Sequence, residues 1–205
     1  MTRYDDLFNG FAGVVSSIIG KEYVEKSMHY GEVTATCEAP ESSHTIAMYR
    51  RIATVTDRLF VRIPYAIDFT EDDPYTDADT MRYAVRTTGR VKVFTGGDAH
   101  AVWTREENNR FRAVHDVWAH CVCGCPFGFV GEYNAYLEQK RYYPGDTHAV
   151  LFAEIVGQVG AHDYTGGFNY RQRAFPAPRA WMDLCAPFDK DFSGRSILSP
   201  ITVTT

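Results

Sequence analysis

Two histidines five positions apart are the first residues in this chain that could bind a metal. The segment FRAVHDVWAHCVCGC (residues 111–125) places Asp116 directly after His115, with His120 following four residues later. Residues five apart on a regular α-helix point about 140° away from each other. His115 and His120 can therefore bind the same metal ion only if the helix ends, tightens or bulges near Ala119. Asp116 and His120, four apart, could share a face without any distortion. The sequence alone does not choose, although the break-forming residues after position 120 favour a helix that ends there.

Glu154 is the second unusual residue, because it lies within the apolar segment HAVLFAEIVGQ (residues 148–158). Burying an ionised carboxylate costs several kcal/mol unless it is paired or bound to a cation. A buried pair with Arg or His is one explanation, and metal binding is the other. His115 raises a similar question, since Phe111 and Trp118 place it on the apolar side of its helix. Two such residues on separate buried helices favour a shared site.

The segment HDVWAH resembles the HDxxGH motif of the pterin-dependent aromatic amino acid hydroxylases. In that family the two histidines and a later glutamate hold a catalytic iron. The resemblance implies His115, His120 and Glu154 as metal ligands, with FAEIVG similar to the family's glutamate segment. Gln158, four residues after Glu154, is a candidate to support that carboxylate. A pterin cofactor would follow from the same resemblance, although no segment matches the family's pterin-binding region.

A longer stretch of the chain resembles a domain of bacteriophage and plasmid polyvalent proteins. That domain carries FRAVHDxFGH, GExNAW and TETRGQ in this order, and the chain has FRAVHDVWAH, GEYNAY and AEIVGQ at similar spacing. DPYTDADTMRYAV and YRQRAFPAP are similar to its flanks. The resemblance implies a phage-type origin, with the host cytoplasm as the location, and it brings no settled activity.

Two neutral imidazoles and one carboxylate leave open positions on a six-coordinate metal, a set that suits Fe(II) binding O₂. We therefore predict a mononuclear non-haem iron hydroxylase or monooxygenase acting on an unidentified small molecule or modified residue. A zinc hydrolase with the same ligands is the main alternative. A phage structural or interaction protein, with a structural metal or a polar core cluster, is the third. Glu132 and Asp116 are candidate catalytic carboxylates, although Glu132 could also be a simple helix N-terminal charge.

The cysteines indicate a reducing compartment. The chain has five, and three of them, Cys121, Cys123 and Cys125, lie within five residues. This arrangement is unlike a secreted disulfide framework and lacks the CxxC spacing typical of a zinc knuckle. We predict buried thiols in a cytoplasmic protein.

Composition limits the classes of partner. The formal net charge is −5 and the basic residues are scattered, which argues against a dedicated nucleic-acid surface. No apolar run approaches the roughly 18–20 residues that span a bilayer. The apolar N-terminal stretch carries Asp5 and Asp6 where a signal peptide has positive charge, so we predict an amphipathic helix there.

The predicted fold is a single, helix-dominated α+β domain over residues 1–205. Residues 1–100 are predicted to hold helices and short strands, 101–175 a core of three helices that bears the site, and 176–205 a Pro-rich tail that wraps the surface. Within the first part, residues 4–28 read as one or two helices broken at Gly20 and Gly31. Residues 45–69 read as strands or buried apolar segments, because they are rich in β-branched and aromatic residues. Gly89 is predicted to end a helix, RVKVFT (residues 90–95) to form a short strand, and Thr104 with Glu107 to form the capping box of the next helix.

Overall fold

A computed structural model describes residues 3–37, 42–97, 99–167 and 172–197, with the side chains of 5–28 in the first range. The fold is α+β and helix-dominated, as the sequence predicts. The helices are α1 (Arg3–Cys37), α2 (Ser43–Phe60), α3 (Ala78–Thr88), α4 (Arg105–His115, continued by π-helical Asp116–Val122), α5 (Phe129–Gln139), α6 (His148–Phe152, π-helical Ala153–Gly157 and Gln158–Thr165) and α7 (Arg179–Cys185). The strands are β1 (Ala66–Thr70) and β2 (Arg90–Phe94), and short 3₁₀ turns lie at Lys140–Tyr142, Gly145–Thr147, Ala186–Phe188 and Ser193–Arg195. No described helix has the length and apolar character needed to cross a bilayer.

Local signals in the sequence set several helix ends. Thr104 and Glu107 form the reciprocal capping box that opens α4. Gly89 ends α3 in the left-handed conformation, with φ of 67°. The side chain of Asp77 caps the start of α3 by accepting a hydrogen bond from the Thr80 amide.

Of the two alternatives for residues 45–60, strands or buried apolar segments, the strand is wrong, because this segment forms α2 with one buried face. Its buried residues recur at helical spacing, on one face of the helix: Thr45, Met48, Tyr49, Ile52, Ala53, Thr56 and Leu59. The amphipathic period therefore outweighs the weaker strand preference of β-branched residues. Only the end of the predicted region, Ala66–Thr70, is a strand.

The sheet consists of two parallel strands joined through α3. Ala66 pairs with Arg90 and Thr70 with Phe94. The sheet and α3 cover a small apolar cluster with α4, which contributes Val117 and Cys121 from its π-helical part. The first half of the chain thereby supports one side of the helix that carries both histidines.

The segment predicted to wrap the surface contributes to the core. Trp181, Cys185 and Phe188 are almost completely buried, and they pack with apolar residues of α1, α5 and α6. Its proline content gives it an irregular path, but its aromatic residues place it inside the fold.

The predicted helix breaks at Gly20 and Gly31 are also wrong, because α1 runs through both positions. Gly20 allows α1 to lie directly against α6. A Cβ placed on Gly20 would come 2.1 Å from the carbonyl oxygen of Gly160 and 2.7 Å from the Cβ of Tyr164. The glycine therefore serves a close helix crossing, a role that local sequence does not distinguish from a break.

We expect Gly20→Ala to lower the free energy of unfolding by about 1–3 kcal/mol, since the added methyl group meets backbone that cannot yield easily. Gly13→Ala is the matched control on the same helix, because a Cβ there has no neighbour within 4 Å among the described residues. That change should raise stability slightly through helix propensity. Chemical denaturation measures both, and equal effects of the two variants would contradict the close crossing.

Candidate metal centre

A π-helical turn brings the two histidines onto one face of α4. Asp116–Val122 is π-helical, and beyond it the Cys123 amide still donates to the carbonyl of Trp118, five residues earlier, at 3.1 Å. Such a turn holds about one residue more than an α-helical turn, so positions five apart align. The sequence left open whether the helix ends, tightens or bulges near Ala119, and in the structure it bulges. The Nε2 atoms of His115 and His120 lie 2.9 Å apart.

Hydrogen bonds on the far side of each ring orient the two imidazoles. The Nδ1 of His120 lies 2.9 Å from the carbonyl oxygen of Cys125, and the Nδ1 of His115 lies 2.9 Å from the Oε1 of Gln139. Both partners are acceptors, so each Nδ1 carries the hydrogen. Each neutral ring then directs the lone pair of its Nε2 to the same point, as metal-binding imidazoles do.

Glu132, in the first turn of α5, supplies a carboxylate at that point. Its Oε2 lies 3.0 Å from the Nε2 of His115, and its Oε1 lies 3.4 Å from the Nε2 of His120. Gln139 lies seven residues further along α5 and therefore on the same face. One helix thus delivers both the acidic group and the residue that orients His115.

The separations between these donor atoms are in the range found in a metal coordination sphere. Donors about 2.1 Å from a metal, at right angles, lie roughly 3.0 Å from one another, and at the tetrahedral angle roughly 3.4 Å. The two Nε2 atoms lie 2.9 Å apart, and each faces a different oxygen of Glu132, with 3.0 Å from His115 to Oε2 and 3.4 Å from His120 to Oε1. Among the described residues, His115, His120 and Glu132 form the one group of metal-ligating side chains whose donor atoms converge in this way.

Without a metal, a proton takes the place of the cation. Burial disfavours the His115 imidazolium, but the charge and hydrogen bond of Glu132, together with Asp116 and Gln139, outweigh burial and raise the pKa of His115 to about 9. Burial would likewise favour neutral Glu132, but the two imidazoles hold the pKa of this carboxyl well below its usual range. A metal that binds at this point would therefore displace a proton from the site.

A buried arginine secures the turn that follows the π-helical segment. Arg82 of α3 is 4% exposed, and its Nη1 lies 3.0 Å from the carbonyl oxygen of His120 and 3.3 Å from that of Cys125. Its other terminal nitrogen pairs with Asp79. Since the carbonyl of Cys125 also orients His120, Arg82 positions the metal group indirectly. Nothing in the sequence near Arg82 suggests this role.

Glu154, predicted as the third ligand, lies outside the group of three. It accepts a hydrogen bond from the hydroxyl of Tyr49 and another from the Nε2 of Gln158, and the Nε2 of His100 lies 3.4 Å from its Oε1. The Nδ1 of His100 accepts from the amide of Trp103 at 2.9 Å, so its Nε2 carries the hydrogen and faces the carboxylate. The predicted contact of Gln158 with Glu154 is present, and Tyr49 and His100 are partners that the sequence did not reveal.

Residues from the candidate metal group and from the hydrogen-bonded group around Glu154 line one cavity of about 370 Å³. His115, Glu132 and Asp116 line one part of it, and Glu154 and Gln158 another. Phe111, Phe127, Ile155 and Val159 provide apolar wall. Burial raises the pKa of Asp116, more than the neighbouring imidazoles lower it. The cavity is therefore lined by two of the three candidate metal ligands, His115 and Glu132, and by two further carboxyl groups, Asp116 and Glu154.

The three clustered cysteines remain outside the metal group. Burial raises the pKa of Cys121 and of Cys125 to about 12 and that of Cys123 to about 11, so all three are neutral thiols at physiological pH. Thiols bind metals poorly compared with thiolates. Cys121, on the π-helical part of α4, packs against α3 and the sheet, which agrees with the predicted role as a small buried apolar residue.

Comparison with protein-family models, with curated proteins and with solved structures finds no match to this chain. The two sequence resemblances therefore stay predictions, and the inference of function rests on the geometry of the site.

Matched substitutions distinguish the two glutamates. We expect Glu132→Gln to weaken metal binding at least about a hundredfold, because it removes the anionic donor. Glu154→Gln should change the affinity by less than about tenfold, since Glu154 lies apart from the converging donors. Co²⁺ titration followed by its visible absorption measures both, with circular dichroism to verify folding. A larger loss for Glu154→Gln would instead support the ligand set implied by the hydroxylase resemblance.

Metal affinity should depend on pH through His115. Below about pH 9 one proton must leave for each metal bound, so affinity should rise about tenfold per pH unit and level off above pH 9. In the metal-free protein the contribution of His115 to the free energy of unfolding has the opposite pH dependence and falls as the pH rises. The stabilisation from protonated His115 is complete below its ordinary pKa of 6.5 and is lost as the pH rises through about 9.

Co²⁺ titrations and thermal melts of the metal-free protein from pH 6 to 10 measure the two trends. Glu132→Gln is the control, because without the carboxylate the pKa of His115 should fall and both transitions should move to lower pH. A metal affinity that does not change between pH 7 and 9 would contradict the displaced proton.

Proposed function

We propose that this protein is a mononuclear non-haem metal enzyme in which His115, His120 and Glu132 bind Fe(II) and the cavity binds a small substrate. The observation that supports this most is the convergence of two Nε2 atoms, 2.9 Å apart, with the Glu132 carboxylate, whose two oxygens lie 3.0 Å and 3.4 Å from them. Two histidines and one carboxylate in this arrangement are typical of iron sites that react with O₂.

The surroundings favour a catalytic rather than a structural metal. Structural zinc sites are closed by four protein ligands, whereas catalytic sites retain open positions. Here three ligands converge, and His115 and Glu132 line a cavity that is large enough for a small molecule. The apolar wall around Phe127 and Ile155 would exclude water from the reacting groups.

Bound Fe(II) would supply the activation of O₂. In a hydroxylation, one oxygen atom enters a C–H bond of the substrate and the other leaves as water, which requires two electrons and two protons. An organic two-electron reductant of the pterin class would supply the electrons. Asp116 and Glu154, both on the cavity, are the chain's own groups for holding or transferring a proton, because burial already favours the neutral form of Asp116.

A zinc hydrolase on the same three ligands is the second candidate. Such an enzyme needs a base near the metal to take a proton from the attacking water. Asp116 favours this alternative, since its carboxyl lies on the cavity beside His115 and has a raised pKa. The choice between the two therefore depends on the metal that the protein selects.

Metal analysis of protein purified without added metal, together with nitric oxide binding to the anaerobic Fe(II)-loaded protein, tests the proposal. We expect stoichiometric iron and the half-integer-spin EPR signal of an iron–nitrosyl, because an open coordination position accepts this analogue of O₂. Cys123→Ser should keep the signal and His115→Ala should lose it. Stoichiometric zinc would favour the hydrolase.

Chelation separates both enzymes from the structural alternative. We expect the metal-free protein to stay folded, since most of its stability comes from helix packing. Unfolding on chelation at neutral pH would indicate a structural metal, and failure to bind Fe(II), Co²⁺ or Zn²⁺ would overturn the proposal.

A further inference from the structure

An uncharged face of α1 is largely exposed to solvent, with Phe11 in its middle also contacting the ring of Phe188. Between Leu7 and Gly20 the sequence LFNGFAGVVSSIIG contains no charged residue. Four large apolar side chains in this stretch are exposed: Leu7 66%, Phe11 44%, Val14 58% and Ile18 41%. The opposite side of the helix, with Val15, Ile19 and Tyr23, is completely buried. This helix therefore has two apolar sides, and the fold uses one of them.

The four exposed residues form a continuous stripe. Their intervals are four, three and four residues, which keeps them within about 60° of one another around the helix axis. This is the spacing of a helix that packs along another helix. A single exposed apolar residue needs no explanation, but a contiguous row of four on an uncharged face is typical of an interaction surface.

We propose that this stripe pairs antiparallel with the same stripe of a second copy of the chain. The spacing reads identically in both directions, so a two-fold axis between Phe11 and Val14 would place Leu7 against Ile18 of the second copy and Phe11 against Val14. Such self-complementarity is what a two-fold interface requires. The inference concerns assembly and does not depend on the proposed metal chemistry.

The charges at the two ends of the stripe agree with this pairing. Asp6 precedes the stripe and Lys21 follows it, and both are exposed. In the antiparallel register, Lys21 of one copy would lie within about 3 Å, along the axis, of Asp6 of the other. A parallel pair would instead place identical charges side by side.

A membrane surface fits the stripe less well. Helices that lie on membranes carry Lys and Arg beside their apolar face and are attracted to anionic lipids. The first turn of α1 is acidic, with Asp5 and Asp6, and the chain has a net charge of −5. A second copy, which offers both an apolar stripe and a lysine, is the better match.

Sedimentation equilibrium of the full chain, up to near-millimolar concentration, tests the proposal. A single pair of helices covers less than the roughly 800 Å² per partner of a typical stable interface, so we expect a reversible dimer of micromolar affinity. The double substitution Leu7→Glu with Val14→Glu should raise the dissociation constant at least about tenfold. Val61→Glu, at a position 80% exposed outside the stripe, is the matched control and should leave it unchanged.

A charge swap tests the register. Asp6→Lys should weaken the dimer by placing two lysines together, and adding Lys21→Asp should restore it. A chain that stays monomeric at every concentration, or that binds phosphatidylserine vesicles as a monomer, would overturn the proposal. A dimer that the stripe substitutions do not weaken, or a charge swap that does not restore pairing, would overturn it as well.

Discussion

The convergence of two imidazole lone pairs and a carboxylate on one point is the interaction on which the site depends. Two neutral Nε2 atoms 2.9 Å apart repel each other unless a cation lies between them or beside them. Glu132 adds a negative charge, which makes a cation at this point still more favourable. In the metal-free protein a proton relieves this repulsion, and a divalent metal would relieve it further because it could accept lone pairs from all three side chains at once.

The surrounding fold holds these donors against their mutual repulsion. The π-helical turn aligns His115 with His120, and π-helical turns are uncommon and frequent at functional sites. The carbonyl of Cys125 and the side chain of Gln139 each accept a hydrogen bond from an Nδ1 atom, which determines the tautomer of each ring. The guanidinium group of Arg82, on α3, donates a hydrogen bond to the backbone carbonyl of His120 and so fixes this part of the backbone. The site is thus built from four segments that approach from different directions, which keeps its geometry rigid.

The two glutamates that line the cavity, Glu132 and Glu154, are compensated in different ways. Glu132 lies beside two imidazoles, and its interactions with them lower the pKa of its carboxyl group and keep it ionised. Glu154 instead accepts hydrogen bonds from Tyr49 and Gln158 and faces the N–H of His100. Both arrangements satisfy the requirement that a buried carboxylate be compensated. Only the first presents converging nitrogen and oxygen donors to a metal.

The sequence by itself determined the local features of this protein. The Thr104–Glu107 capping box, the stop at Gly89 and the strand at residues 90–94 follow from short-range chemistry, as does the unusual character of His115 and Glu154. Tertiary structure decided the rest. Whether His115 meets His120 depended on a bulge that helix propensity does not encode, and whether Glu132 or Glu154 joins them depended on how α5 and α6 pack around α4. Gly20 reads as a helix break until α6 lies against it, and residues 43–60 became a helix because their apolar face had a core to cover. These outcomes depend on contacts between distant segments, and one-dimensional spacing carries no information about such contacts.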